Sequence, residues 1–452
     1  ETADVVVIGA GFAGLTAARS LADSLPAGSK VLLLEARDRV GGRTYTAPLS
    51  GLPVDLGAEW LHPQLHPLVA REVERYGMSF EAADDSSTCK YMWSDGTASY
   101  GEDTIMGDDR EDSLPVPASH ASEFRRVMRR FNEDASKLQQ LNADGRHDLY
   151  LEYDIPYMEY VETVLVATGA TKDFILAQGF ALTGAMPEQV STLSVLHDIC
   201  QFGSAESSFC DPLYRVSCGA GGLAAAIAED LRSREGVKIM RGTPASNVSK
   251  QSDGVHIRTV GGLEIISSHV IVAVPLNVLK SINFESGCDS GMCSASDGLN
   301  MGKCYKYWTL LGSDVPVPYD QTIMWSENSI VESYIRPCLP SPTLFACAGF
   351  SLNGYGGDLS IVASELRNLY DLGVSNEINT VLHHDWVADP FSRGSWLAIK
   401  AGKAKLYADV VSMNRSSCEI IENMILFAGG DISEHWHGWV EGAVYSGCAA
   451  AE

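Results

Sequence analysis

The sequence predicts an α/β protein, because three separated stretches, residues 1–44, 237–279 and 424–452, each set a buried apolar strand near a glycine turn. In the first stretch the apolar run at 5–8 reads as a buried strand. Gly9, Gly11 and Gly14 follow at G-x-G-x-x-G spacing, with Ala13 in the same turn. Leu15, Ala18, Leu21 and Ala22 then form a helical stripe that ends near Pro26. Val31–Leu34 is a second buried strand, and Glu35 stands at its end. Each part has a mechanical reason. Gly9 permits the tight turn, Gly11 lets the backbone approach a pyrophosphate, and Gly14 lets the helix pack closely on the strand. The helix N-terminus offers free N–H groups and positive dipole to phosphate, and Glu35 can accept from a ribose hydroxyl.

The second stretch alternates like strands, turns at 252–254 and 261–262, and ends in a buried strand at 270–274. The third reads as strand, glycine turn, loop and helix. Between them, residues 81–204 carry helical patterns such as 123–141, and residues 283–397 mix strands and helices. The simplest architecture is a Rossmann-like nucleotide domain assembled from 1–80, 205–282 and 398–452. An α+β substrate-binding domain built from 81–204 and 283–397 is interleaved with it. At 452 residues the chain is long for a single core, which agrees with two domains.

Composition narrows the function. A net charge of −25 excludes nucleic-acid binding, which needs basic patches, and suits attraction of cationic small molecules. The densest acidic run, 102–112, reads as a solvated loop. Eleven cysteines without C-x-x-C pairs suggest buried thiols, not a disulfide framework or a metal site. No apolar stretch reaches the roughly 18 residues that span a bilayer. The chain begins at Glu1, so a processed or truncated form is expected, with no leader to read.

The glycine motif alone does not separate NAD from FAD; its continuation does. Ala36, Arg37, Gly42 and Arg43 lie in ARDRVGGRT, directly after Glu35. A second glycine pair and a fixed cation suit a longer cofactor, whose pyrophosphate and ribityl chain run on past the first turn. This run closely resembles the flavin-containing amine oxidases, and with the interleaved organisation the resemblance covers nearly the whole chain.

The resemblance implies noncovalent FAD, an amine and oxygen as reactants, and a set of site residues. In VDLGAEWLH it lays Gly57, Ala58, Glu59 and Trp60 beside the flavin and places His62 in the substrate cavity. Val248 would meet the adenine through its backbone. In NMGKCYKYW the lysine four residues after Gly302 is Lys306, which would reach flavin N5 through a water and assist reoxidation. Lys303 is its rival, and strand alternation puts the two on opposite faces. In HHDWVADPFSRGSW, Trp386 would pack near the flavin and Trp396 would form one wall of an aromatic cage. Ser395 stands where mammalian monoamine oxidases carry the cysteine that bonds the flavin. In FAGGDISEHWHGWVEGAVYSG, Gly430 and Asp431 would contact the cofactor, Asp431 through its backbone in place of the usual glutamate. Trp439 would be the second cage wall. The helix from Val440, with Ala443, would aim its N-terminus at the N1–C2=O edge of the ring.

The expected reaction is hydride transfer from the carbon next to nitrogen, giving an imine, an aldehyde and hydrogen peroxide. The expected substrate is a polyamine, diamine or primary monoamine. Two alternatives stay open. An L-amino-acid oxidase would need a cavity arginine, with Arg126, Arg129 and Arg336 unplaced, and a flavoprotein binding module would need no turnover.

Overall fold

The computed structural model describes all residues except 83–87, 103–113, 144–150, 286–291, 293–297, 301, 312–319, 338–344, 353, 373–377 and 420–423. Two sheets organise it. In the first, Val237–Met240, Val31–Leu34, Thr2–Ile8, Glu264–Val272 and Ile425–Phe427 lie side by side and all run parallel. The strands Thr2–Ile8 and Val31–Leu34 are buried on both faces at their centres, which is why Val5, Val6, Val7 and Ile8 read as an unbroken apolar run. The first half of Glu264–Val272 also pairs antiparallel with Gly254–Thr259, which pairs with Ala245–Gln251. Asn283–Phe284 closes that edge.

One face of this sheet is covered by helices Phe12–Ser24, Ala220–Ser233 and Val440–Ala449. The last returns from the far end of the chain to pack on the first. The glycines make this contact possible. A Cβ on Gly14 would sit 1.9 Å from the Gly9 carbonyl oxygen, so only glycine lets the helix approach the strand here. Gly9 itself has φ +106°, a conformation that favours glycine.

The second sheet has the order Ile378–His383, Tyr305–Leu311, Phe345–Ser351, Ile330–Pro337, Gln321–Met324, Thr88–Met92, Ala98–Glu102. Its strands come from both insertions. Against it lies a helical layer of Ala121–Ala143, Gly169–Thr183 and Thr192–Phe202 over a core of Phe124, Phe131, Phe174 and Leu196. Residues 88–102 form a hairpin in this sheet. The chain departs from the expected segmentation in two places. Ala205–Cys210 packs Ala205 and Phe209 into the helical layer instead of opening a nucleotide segment. Asn283–Phe284 belongs to the first sheet. The acidic run at 103–112 lies outside the described residues. Among the described residues Cys200, Cys218, Cys304, Cys347 and Cys448 are free thiols.

Gly14→Ala is expected to destabilise the protein by more than about 2 kcal/mol, because the added methyl meets backbone that cannot swing aside. Urea denaturation of the two proteins checks this. An unchanged midpoint would show that helix and strand can separate freely.

Candidate active site

At the carboxyl ends of the parallel strands lies a cavity of about 420 Å3. One end is formed by Glu35, Arg37, Thr243, Pro244 and Ala245. Its middle passes Gly11, Ala13, Gly42 and Arg43, and its far end reaches Lys306, Trp386 and Trp396. Glu35 is held in place: its Oε2 accepts from Ala10 N and its Oε1 from Arg37 N, each at 2.8 Å. The Arg37 guanidinium donates to Asp389 Oδ1 and Ser392 Oγ, each at 2.7 Å. Those two bonds fasten the 383–396 segment to the N-terminal motif. Helix Phe12–Ser24 starts at Gly11 and helix Val440–Ala449 at Trp439, and neither N-terminus has a side-chain cap. Their free N–H groups and dipoles face the cavity. A Cβ on Gly11 would find nothing nearer than Gly42 Cα at 3.9 Å, so that turn is an open cradle. A long dinucleotide with a phosphate bridge at its middle fits these residues.

A second cavity, about 630 Å3, lies between the helical layer and the second sheet. Gln178, Asp198, Tyr214, Arg215, Glu332 and Tyr334 are among its walls. The two cavities share Gly57, Ala58, Cys304, Lys306, Phe350, Trp396, Gly438, Trp439 and Val440. They therefore meet at one place, between two tryptophans and a lysine.

Each indole there is fixed by its N–H. Trp386 donates to Leu56 O at 2.8 Å, Trp396 to Leu182 O at 2.7 Å, and Trp439 to Asp198 Oδ1 at 2.8 Å. Lys306 is buried on strand Tyr305–Leu311 and pairs with Glu59 Oε2. Its Nζ also lies 3.4 Å from Gly57 O. Glu59 accepts from the Tyr334 hydroxyl and forms an ion pair with Arg215 at 3.1 Å. Burial alone would raise the Glu59 carboxyl, but Lys306 and Arg215 outweigh it and hold it below the usual range. Arg215 in turn lies over the rings of Trp60, at 5.1 Å, and Tyr334, at 5.7 Å.

Residues 12–328 and 357–452 match the family model of flavin containing amine oxidoreductases. The chain belongs to that family. It is 27% identical to (S)-6-hydroxynicotine oxidase of Paenarthrobacter nicotinovorans over 448 residues, 98% of this chain and 96% of that protein. It is 26% identical to polyamine oxidase 4 of Oryza sativa subsp. japonica over 483 residues, 99% of this chain and 88% of that protein. A putrescine oxidase solved with putrescine bound superposes with TM-score 0.82 at 20% identity, over 100% of this chain and 98% of that one, and so shares the fold.

In this flavin amine oxidoreductase the residues singled out from sequence fall into three groups. Gly9, Gly11, Ala13, Glu35, Ala36, Arg37, Gly42, Arg43, Trp386, Gly430, Val440 and Ala443 line the first cavity. Lys306, Trp396, Trp439, Gly57 and Ala58 stand at the junction, while Glu59 and Trp60 face only the second cavity. Gly14, Asp431, Val248 and His62 line neither. Gly14 is spent on helix packing. The Asp431 carboxylate turns back to Arg43, 2.7 Å away, and to Leu276 N at 3.1 Å. Val248 lies inside the ladder with its carbonyl taken by Glu285 N at 3.1 Å, and Thr243, Pro244 and Ala245 form the cavity wall instead. His62 packs edge-on to Phe202 and Tyr214, and Tyr214 is the residue that faces the second cavity. Lys303 precedes the strand and is exposed, so it does not compete with Lys306.

Sequence reasoning missed Asp198, Arg215 and Tyr334. Ser194 and Asp198, four apart and so on one face of helix Thr192–Phe202, were the available signal for the first. Arg126 and Arg336 bond to backbone or Glu81 elsewhere, and neither they nor Arg129 line either cavity.

His437 lines the second cavity with His197 beside it, ring centroids 5.1 Å apart. Burial, with His197 adding, pushes His437 down to about 3, and burial pushes His197 to about 4. Both imidazoles must charge on unfolding near their ordinary value of about 6.5, so the stability they contribute is present above that pH and lost as pH falls through it. The raised carboxyls of Asp55, to about 6, and Asp198, to about 7, both set chiefly by burial, act in the opposite direction. His437→Asn is therefore expected to reduce the stability lost between pH 7 and pH 5 by about 2 kcal/mol. Denaturation curves at both pH values check this, and parallel losses in the two proteins would refute it.

Proposed function

We propose that the chain binds FAD without a covalent bond and oxidises a primary monoamine, diamine or polyamine at the carbon next to nitrogen. The product is an imine that water converts to an aldehyde, with oxygen reduced to hydrogen peroxide. The observation that carries this reading is the single junction of the two cavities at Lys306, Trp396 and Trp439. When bound, the flavin would supply the hydride acceptor and pass its electrons on to oxygen. Glu35, Gly11, Ala13 and Arg43 would hold its nucleotide half, and Gly57, Trp386 and the Val440–Ala449 N-terminus its ring end.

The protein's own work is orientation and desolvation. Trp396 and Trp439, locked by their N–H bonds, and Phe350 give the amine apolar walls that exclude water and hold its reacting carbon toward the first cavity. Lys306, held by Glu59, keeps one positive charge at the junction, where an ordered water can be bound and reduced oxygen stabilised. Ser395 supplies a hydroxyl, not a thiol, to the first cavity, and its Oγ accepts from Cys304 N at 3.3 Å.

A second reading is oxidation of an amino acid. Arg215 favours it as the arginine in the second cavity, although Glu59 already occupies part of its donor set. Purified protein should bleach its flavin anaerobically and release peroxide in air with at least one of putrescine, spermidine, benzylamine and nicotine. L-Phenylalanine serves the second reading. The flavin should leave the protein on acid precipitation. Inertness to the whole panel would overturn amine oxidation, and flavin retained in the pellet would overturn noncovalent binding.

Lys306→Met should keep its flavin and slow reoxidation at least about tenfold, since a charge in a water-excluded site is lost. Lys303→Met should match the wild type. Stopped-flow mixing of reduced enzyme with oxygen distinguishes the two, and equal rates would refute the assignment of Lys306.

A further inference from the structure

Asp198 lies on helix Thr192–Phe202 in the wall of the second cavity and is 6% exposed. Its buried neighbours on that helix are Leu193, Val195, Leu196, Ile199 and Phe202 together with the uncharged hydroxyl residues Thr192 and Ser194, so Asp198 is the one buried acid or base among them. A carboxylate here has left water and needs compensation. Its Oδ1 accepts from Trp439 Nε1 at 2.8 Å, and that donor is a neutral indole. Among the described residues no lysine or arginine forms an ion pair with it. The contrast with Glu59 is sharp, because Glu59 holds Lys306, Arg215 and Tyr334.

If fixing the indole were the whole task, an amide would do it at no charge cost, since its carbonyl accepts the same bond. What the carboxylate adds is a negative charge inside a cavity beside a cage wall. We propose that Asp198 is the counter-charge for a cationic nitrogen of the bound substrate, so that the enzyme selects molecules that bring a positive nitrogen alongside Trp439. This rests on the amine-oxidation reading above and assigns the residue that makes the cavity selective. It also joins two tasks in one side chain: the bond that orients the wall ring comes from the same carboxylate that meets the substrate. In the empty cavity burial, offset in part by the indole N–H, pushes the Asp198 carboxyl up to about 7. An arriving cation returns it to the ionised form. The net charge of −25 acts in the same direction, drawing cations toward the protein before Asp198 meets them.

The test uses cumylamine and its isosteric alcohol, 2-phenylpropan-2-ol. Cumylamine has no hydrogen on the carbon bearing nitrogen, so it binds without turnover. Calorimetric titration of the wild-type holoenzyme should show the amine bound at least about tenfold more tightly than the alcohol. Asp198→Asn keeps an acceptor for the indole and should reduce that preference to less than about twofold while leaving alcohol binding unchanged. A wild type without preference, or an Asp198→Asn protein that keeps it, overturns the proposal. Asp198→Ser is the second neutral variant should the first fail to fold, read by the same ratio. Inertness of the wild type to every amine would refute the oxidation reading. Oxidation of amines together with an unaltered preference in both variants would refute Asp198 alone.

Discussion

The Glu59 carboxylate is buried at 3% exposure, and its partners come from three distant parts of the chain. Arg215 arrives from the stretch before the Ala220–Ser233 helix, and Lys306 and Tyr334 from two strands of the second sheet. None of these charges could be buried alone. Removing one partner from such a buried set costs about 3–5 kcal/mol, because the others are left uncompensated. The second sheet is thus tied by an electrostatic clamp to the Gly57–Glu59 loop and to strand Tyr214–Val216, at the point where the two cavities meet. Lys306 stands at that junction because Glu59 requires it there, and Gly57 and Ala58 reach it because they precede Glu59.

The same logic explains why the sequence motifs of this chain act together although far apart along it. Arg37 belongs to the first motif and Asp389 to the 383–396 segment, yet they form one ion pair at 2.7 Å. Asp389 also accepts from His384 Nε2 at 2.7 Å and from Phe391 N at 2.8 Å. That loop carries Trp386 and Trp396, so its docking on Arg37 sets where two of the three site indoles stand. Arg43 does the same for the third. It holds Ser395 O at 2.8 Å and Asp431 at 2.7 Å, and Asp431 opens the turn that leads to Trp439.

The first sheet was legible in the sequence because its strands are buried on both faces and its turn demands glycine at fixed spacing. Gly9 takes the positive φ of the tight turn and Gly14 the close helix–strand contact, as their spacing implied. The second sheet was less legible. Thr88–Met92 pairs in parallel with Gln321–Met324, more than two hundred residues later, and no local pattern announces such a partner. Among site residues, those that act through backbone or ring position could be placed from motifs. The directions of the Asp431 and Val248 side chains were not legible, because a motif records that a residue is needed, not which way it faces. Asp431 is needed by Arg43, and Val248 by the ladder. Arg215 and Asp198 went unseen because each lies in a short element whose neighbours are ordinary core residues. Their meaning comes only from what the fold sets opposite them.

The charge arrangement gives the site a direction. The first cavity presents two bare helix N-termini, whose partial positive charge suits phosphate and a ring that becomes negative on reduction. The junction adds Lys306 and Arg215 against Glu59, one positive charge in excess. The second cavity answers with Asp198 on the far side of Trp439. A molecule placed between them feels positive potential toward the cofactor side and negative potential toward the helical layer. On the proposed reading, that gradient favours a donor that sets a cationic nitrogen near Asp198 and turns the carbon beside an unprotonated nitrogen toward the junction. The tryptophans are the neutral partition between the two potentials, so truncating either ring would admit water and weaken both fields at once.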